Sequence, residues 1–276
     1  MPYRRAWIGV FIMLLLSVAA FWRSYWSTFT TVPWQYHVHG LSATVWMLLL
    51  IAQSWSIHHD QRSLHKTAGL LIFALIPVFA AGGLLVVGTM AVATPGHPLY
   101  ELFGDRLAAV DVITTAVFLW FIYEALHHRR RAGLHGGYMI STVFLLMAPT
   151  LGRIMPNFVP GLTIRSMDQI HRFGYGLHVS HAIALVVLAF LITRYRRFSR
   201  PFLIAAITLV SQSIVFETLA KTDAWDAVMR AYADIPPMAQ LVAGLVLGAA
   251  VAWLGWRAGK AEAGRSTPPD IARATS

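Results

Sequence analysis

The amino-acid sequence predicts an all-α, polytopic membrane helix bundle of about eight transmembrane helices, or seven if the first is cleaved. Two observations carry this expectation. Of the 276 residues, 57% are hydrophobic and only 12% are charged, giving a mean hydropathy of +0.59, whereas soluble domains carry roughly 25% charged residues. Apolar stretches also recur at 7–22, 38–57, 67–93, 105–126, 136–155, 173–193, 201–220 and 238–256. Each is long enough, or nearly so, to cross a hydrocarbon core about 30 Å thick at about 1.5 Å per residue.

The first stretch follows Arg4 and Arg5 and ends near Ser17-Val18-Ala19, so it also reads as a signal peptide. An uncleaved anchor is preferred, because Phe21, Trp22 and Trp26 continue an interfacial pattern. The second stretch opens with QYHVHG (35–40), the third contains Pro77, Gly82 and Gly83, and the fifth contains Pro149 and Gly152, marks of kinks or close packing. The outer segments 23–36, 155–172 and 221–237 have room for short interfacial helices. Residues 1–258 therefore form one transmembrane domain, and the polar, proline-containing segment 259–276 is expected to be a disordered cytoplasmic tail.

Orientation follows from the basic residues, because cytoplasmic loops retain Lys and Arg. The N-terminus, the loops near 58–66, 127–135 and 194–200, and the C-terminal tail carry 15 of the 22. Both termini are expected on the cytoplasmic side, in a bacterial inner membrane. The net charge of +10 and the pI near 10.4 then describe insertion into a lipid bilayer and call for no nucleic acid. The absence of cysteine removes disulfides, thiolate zinc sites, iron–sulfur clusters and covalently attached haem. Any metal must use imidazole or carboxylate.

The 12 histidines fall into two layers. His58, His59, His65, His127, His128 and His135 lie at the cytoplasmic boundary, and His37, His39, His97, His171, His178 and His181 lie near the outer one. His39 and His58 are about 30 Å apart along one helix, so the layers are separate sites. The inner layer repeats: IHHDQRSLHKTAG (57–69) matches LHHRRRAGLHGGY (126–138), each with a His pair closing one helix, a basic turn, and Leu-His opening the next. Related hairpins packed about a pseudo-twofold axis would bring like histidines towards each other. Glu124 precedes His127 by three residues and shares its helix face. These histidines could equally sit in basic turns and pair with lipid phosphate.

In the outer layer, HRFGYGLHVSH (171–181) places His171, Gly174, His178 and His181 within an arc of about 80°, a stripe notched by glycine. A notch admits a flat macrocycle or another backbone. His37 and His39 point to opposite sides if helical and to one side if extended, so they chelate together only in the second case; His39 is the better bundle-facing ligand. His171 is expected to cap or snorkel, and His97 to be a turn residue. Asp111 is expected near Arg153, and Glu217 is expected to pair with Lys221 four residues on.

The histidines in two layers of a cysteine-free bundle resemble the b-haem transmembrane electron carriers of the cytochrome b561 and ferric-reductase type. That resemblance implies haem held by paired histidines near each face. In that type the ligands come from four central helices at matched depth; here the inner histidines sit in turns. WQYHVHG with SLHKTAGLL is similar to a group of bacterial His-containing membrane proteins, a likeness that supplies no chemistry.

Three functions stay open. The first is a redox protein binding haem b, through His39 with His178 outside and His65 with His135 inside, with a redox partner. The second is a membrane metalloenzyme with a His/Glu di-metal site, using iron, zinc or copper on a lipid or another apolar small molecule. Its candidate ligands are His58, His59, Glu124, His127, His128 and His135 inside, and His37, His39, His178 and His181 outside. It lacks the repeated histidine boxes of membrane desaturases, and His178-x2-His181 lies on the opposite side. The third is a transporter or a non-catalytic membrane subunit.

Overall fold

The computed structural model describes residues 2–93 and 98–265, and the side chains of these except Pro98 and 261–265. The described residues are helical and contain no strand. The helices are α1 (Ala6–Ala20), α2 (Trp34–His58), α3 (Arg62–Gly69), α4 (Ile72–Ala93), α5 (Pro98–His127), α6 (Ala132–Leu145), α7 (Met147–Phe158), α8 (Arg172–Arg194), α9 (Arg200–Glu217), α10 (Asp223–Ala233) and α11 (Pro237–Arg265). Seven segments are long and apolar enough to cross a membrane, with α6 and α7 together forming one, Ala132–Phe158; α1, with 15 residues, is a shorter apolar helix.

The apolar runs set these helices, and local chemistry sets their breaks. The expected 136–155 helix is interrupted at Leu146. Pro149 has no N–H to give the preceding turn, so the ladder fails there. The expected 67–93 helix begins only at Ile72, because residues 62–69 form the separate helix α3. Of the outer segments, 23–36 holds a π-helical turn at Trp22–Trp26, 155–172 a 3-10 turn at Met167–Gln169, and 221–237 the helix α10. Helix α10 is capped by the Thr222 side chain, which accepts from Trp225 N at 3.3 Å. The last helix runs through Arg265, seven residues into the segment expected to be tail; 266–276 and His97 lie outside the described residues.

In lipid, apolar burial gives helices little reason to associate, so close packing and interhelical hydrogen bonds hold the bundle. The packing closes on itself: α1 packs on α2, α2 on α4, α4 on α11 and α5, α5 on α9, α9 on α8, α8 on α7, and α7 on α1. Helix α4 is the central contact. Gly82 lies against the His39 backbone of α2, and Gly244 and Gly248 of α11 lie against the Ala81 and Pro77 backbones. The core is aromatic, with Phe79 stacked on Phe118 at 3.9 Å. Trp46 Nε1 donates to Thr142 Oγ1 at 3.0 Å, and Gln212 Nε2 to Thr114 Oγ1 at 2.8 Å. Helix α1 is integrated: Val10, Met13 and Leu14 are buried, and Ser17 bonds Thr150 at 2.9 Å.

The two ends of the bundle differ chemically. At one end the N-terminal arm meets the α2–α3, α5–α6 and α8–α9 turns: His58 Nε2 reaches Pro2 O at 3.1 Å, and the Tyr3 hydroxyl donates to Gly133 O at 3.0 Å. Burial, and then Tyr195, push the Tyr3 phenol above its ordinary pKa. This end, the basic end, carries the arginine-rich turns.

Candidate functional site

At the basic end, Glu124 and His127 lie in the last turn of α5 and His128 follows directly after it. One ligand atom from each lies within 4.8 Å of the others. His128 Nε2 is 3.3 Å from Glu124 Oε2, and both residues are buried. The His127 and His128 rings stack at 4.5 Å, and His128 also lies over Tyr138 of α6, with centroids 6.2 Å apart. The expected partner of Glu124 was His127 at i+3. The close contact is instead with His128 at i+4, while His127 completes the group. The basic turn that follows is pinned: Arg129 Nη1 donates to Leu126 O and to Trp256 O, both at 2.9 Å, and its guanidinium lies 4.2 Å over the Trp256 ring. Burial, and then Arg130, lower the Arg129 pKa from its ordinary value.

The other inner histidines divide into two kinds. His65 Nδ1 faces Gln53 O at 3.2 Å, and His135 Nδ1 faces Ala125 O at 2.8 Å. A carbonyl can only accept, so Nδ1 carries the proton in each ring and the Nε2 lone pair is left for a ligand. The two rings lie within electrostatic reach of each other, the approach that the repeated hairpins predict. The repeat is otherwise local, because α3 interrupts the first copy only. His58 and His59 do not join the group expected of them. His58 turns both ring nitrogens to carbonyls, Ser54 O at 2.7 Å and Pro2 O at 3.1 Å, and has no lone pair directed to a metal. His59 bonds Trp55 O at 2.8 Å and stacks on the Trp55 ring.

At the opposite end, His178 and His181 are held by α9. His178 contacts Ser213 Oγ at 3.3 Å and Glu217 Oε1 at 3.0 Å, and His181 Nδ1 contacts Ser213 Oγ at 2.7 Å. The Gly174 notch is filled by the Phe103 ring of α5. His39 stands elsewhere, on α2 beside Phe79, its buried Nδ1 without a hydrogen bond. No hydrogen bond, ring contact or electrostatic contact joins His39 to His178. With both His178 nitrogens engaged and the notch filled, these residues do not fit a haem held between them. His37 and His39 are both helical and diverge: His37 Nδ1 bonds the Tyr25 hydroxyl at 3.1 Å, which removes joint chelation. His171 precedes α8 and bonds Asp168 O at 2.8 Å, as a helix-end residue should.

A second polar group lies inside the bundle near this end. Arg153 of α7 is within electrostatic reach of His39, Tyr36, Tyr100 and Asp111. Its Nη1 donates to Pro149 O at 2.9 Å, and its guanidinium lies 4.2 Å over the Phe21 ring. Tyr36 and Tyr100 hydroxyls are 3.5 Å apart. The Asp111–Arg153 proximity was expected; the two tyrosines were not, because nothing in an apolar helix start marks a phenol as inward-facing. Glu217 pairs with Lys221 at 2.5 Å, as expected, and also with Arg106 at 2.6 Å.

No protein-family model, curated protein or solved structure matches this chain.

Proposed function

We propose that this chain is an integral membrane metalloprotein that holds an iron, zinc or copper ion at its basic end through Glu124, His127 and His128, and acts on a lipid or another apolar molecule. The observation that carries this reading is the convergence of two imidazoles and one carboxylate, with one ligand atom from each within 4.8 Å of the others. Such nitrogen and oxygen donors suit these metals in a chain without cysteine. Two imidazoles and a carboxylate leave a coordination position for water or substrate, where a metal supplies Lewis acidity. Tyr138 lies buried beneath His128 and close enough to Glu124 to interact with it electrostatically. The cluster closes a membrane span, so an apolar substrate would reach it from the bilayer with its polar end at the boundary. The basic-residue count supports a bacterial inner membrane with both termini cytoplasmic.

The test is elemental analysis of purified protein. About one transition metal per chain is expected, and its loss in Glu124→Gln and in the His127→Ala/His128→Ala double variant. Metal content unchanged by both variants would overturn the assignment.

A second reading, an electron carrier holding haem b through His65 and His135, is favoured by one observation. Both rings are anchored through Nδ1 to carbonyls, one on each hairpin, and the two interact electrostatically. A Soret band that disappears in His65→Ala and His135→Ala would establish it. Absence of the band after reconstitution with haem would end it.

A further inference from the structure

The arginine-rich turns enclose a feature that the metal reading does not use. A cavity of about 620 Å³ lies at the basic end, lined by Pro2, Arg131, Ala132, Gly133, Leu134, Arg197 and Phe198. That volume is in the range of small-ligand sites, roughly 300–1,000 Å³. Three separate stretches of chain build it: the N-terminal arm, the start of α6 and the α8–α9 turn. Its walls are fixed by packing, because the Phe198 ring lies flat against Gly133 and Tyr3 ties the arm to Gly133 O.

We propose that this cavity binds a phosphate group, and that its natural source is the headgroup of an anionic phospholipid. Charge argues for the phosphate. Arg131 and Arg197 enter the lining from two different turns. Glu124, on the span that leads into Arg131, is held by His128. No side chain caps α6, whose first residues, Ala132 and Gly133, form part of the wall. Position argues for a lipid. The cavity opens where the spans ending at His127 and Arg194 and those beginning at Ala132 and Arg200 meet the membrane boundary, the level of headgroups. Leu134 and Phe198 supply an apolar wall for the glycerol and upper acyl carbons. The arginines at this end thus do more than set orientation; two of them shape a receptor for one lipid class.

The experiment is native mass spectrometry of the detergent-solubilised full chain titrated with dioleoyl-phosphatidylglycerol, dioleoyl-phosphatidylcholine or inorganic phosphate. Phosphatidylglycerol should bind more tightly than phosphatidylcholine. At roughly five-fold per phosphate-facing arginine, Arg131→Gln/Arg197→Gln should weaken it about thirty-fold. Arg130→Gln/Arg196→Gln removes the same charge from the same turns outside the lining and should leave affinity within about two-fold. Ala132→Trp, which fills the cavity and keeps every charge, should abolish the selectivity. If inorganic phosphate binds alone and displaces the lipid, the phosphate site stands and its source is a free phosphate. Equal losses in the two arginine double variants, or equal binding of both lipids by the wild-type chain, would overturn the proposal. Retained helical circular dichroism certifies each variant as folded.

Discussion

Glu217 on α9 accepts from Arg106 on α5 at 2.6 Å, although the two residues are 111 positions apart in the chain. The same carboxylate takes Lys221 at 2.5 Å and His178 at 3.0 Å, so one side chain joins α5, α8 and α9. Arg106 is the more buried partner, 17% exposed against 42% for Glu217, and its guanidinium lies 3.9 Å over the Phe216 ring. Removing the carboxylate would leave that cation packed and unpaired. Glu217→Gln is expected to cost about 1–2 kcal/mol, whereas Lys221→Gln removes only an exposed i,i+4 pair and should cost under about 0.5 kcal/mol. Thermal unfolding in detergent separates them; equal losses would mean that the Arg106 contact carries no weight.

The glycines of α11 make a sharper prediction. A Cβ on Gly248 would meet the Pro77 backbone, and one on Gly244 the Ala81 backbone, so no side-chain rotation relieves the clash. Gly248→Ala and Gly244→Ala should each destabilise by about 1–3 kcal/mol. Gly152 in α7 has nothing within 4 Å of its Cβ position. There alanine should be neutral or stabilising by up to about 1 kcal/mol, because it restricts only the unfolded chain. If Gly248→Ala matches Gly152→Ala in unfolding midpoint, α4 and α11 do not pack this closely.

These cases show what the sequence could and could not disclose. Helix positions were legible because a run of apolar residues must span the bilayer, and a run's length is local information. The Glu217–Lys221 pair was legible for the same reason, since i,i+4 spacing is a property of one helix. Arg106 was not, because no local rule connects it to a carboxylate three spans further along the chain. The His65–His135 approach was legible only through the repeat, which carries long-range pairing in local form. The start of α4 at Ile72 was hidden: Leu70 and Leu71 continue the apolar run, yet the chain breaks there after Gly69. The fates of His58 and His59 were hidden too, since carbonyls of their own helix compete for imidazoles and composition cannot report that.

The Asp111–Arg153 relationship can be measured directly. The two side chains interact electrostatically without a direct ion pair closer than 4 Å, with Tyr36 and Tyr100 alongside. A double-mutant cycle with Asp111→Asn and Arg153→Gln should give a coupling of roughly 1 kcal/mol, above the 0.3–0.5 kcal/mol typical of independent sites. Each single variant should lower the unfolding midpoint more than the double variant's excess over either. Strict additivity would show that the two charges are solvated separately and that the cluster is not a unit.

The metal reading also makes a thermodynamic prediction that does not require knowing the substrate. A ligand that binds only the folded chain stabilises it by about 2.7 kcal/mol when its free concentration is 100 times its dissociation constant. Adding zinc to metal-stripped protein should therefore raise the unfolding midpoint by several degrees, and Glu124→Gln should lose most of that rise. Its imidazoles must be unprotonated to ligate, so the rise should shrink as the pH falls and recover when it is restored. His58→Ala, which removes an imidazole turned to carbonyls at the same end, should keep the full effect. A zinc-induced rise that survives Glu124→Gln yet vanishes in His58→Ala would place the metal with the wrong histidines.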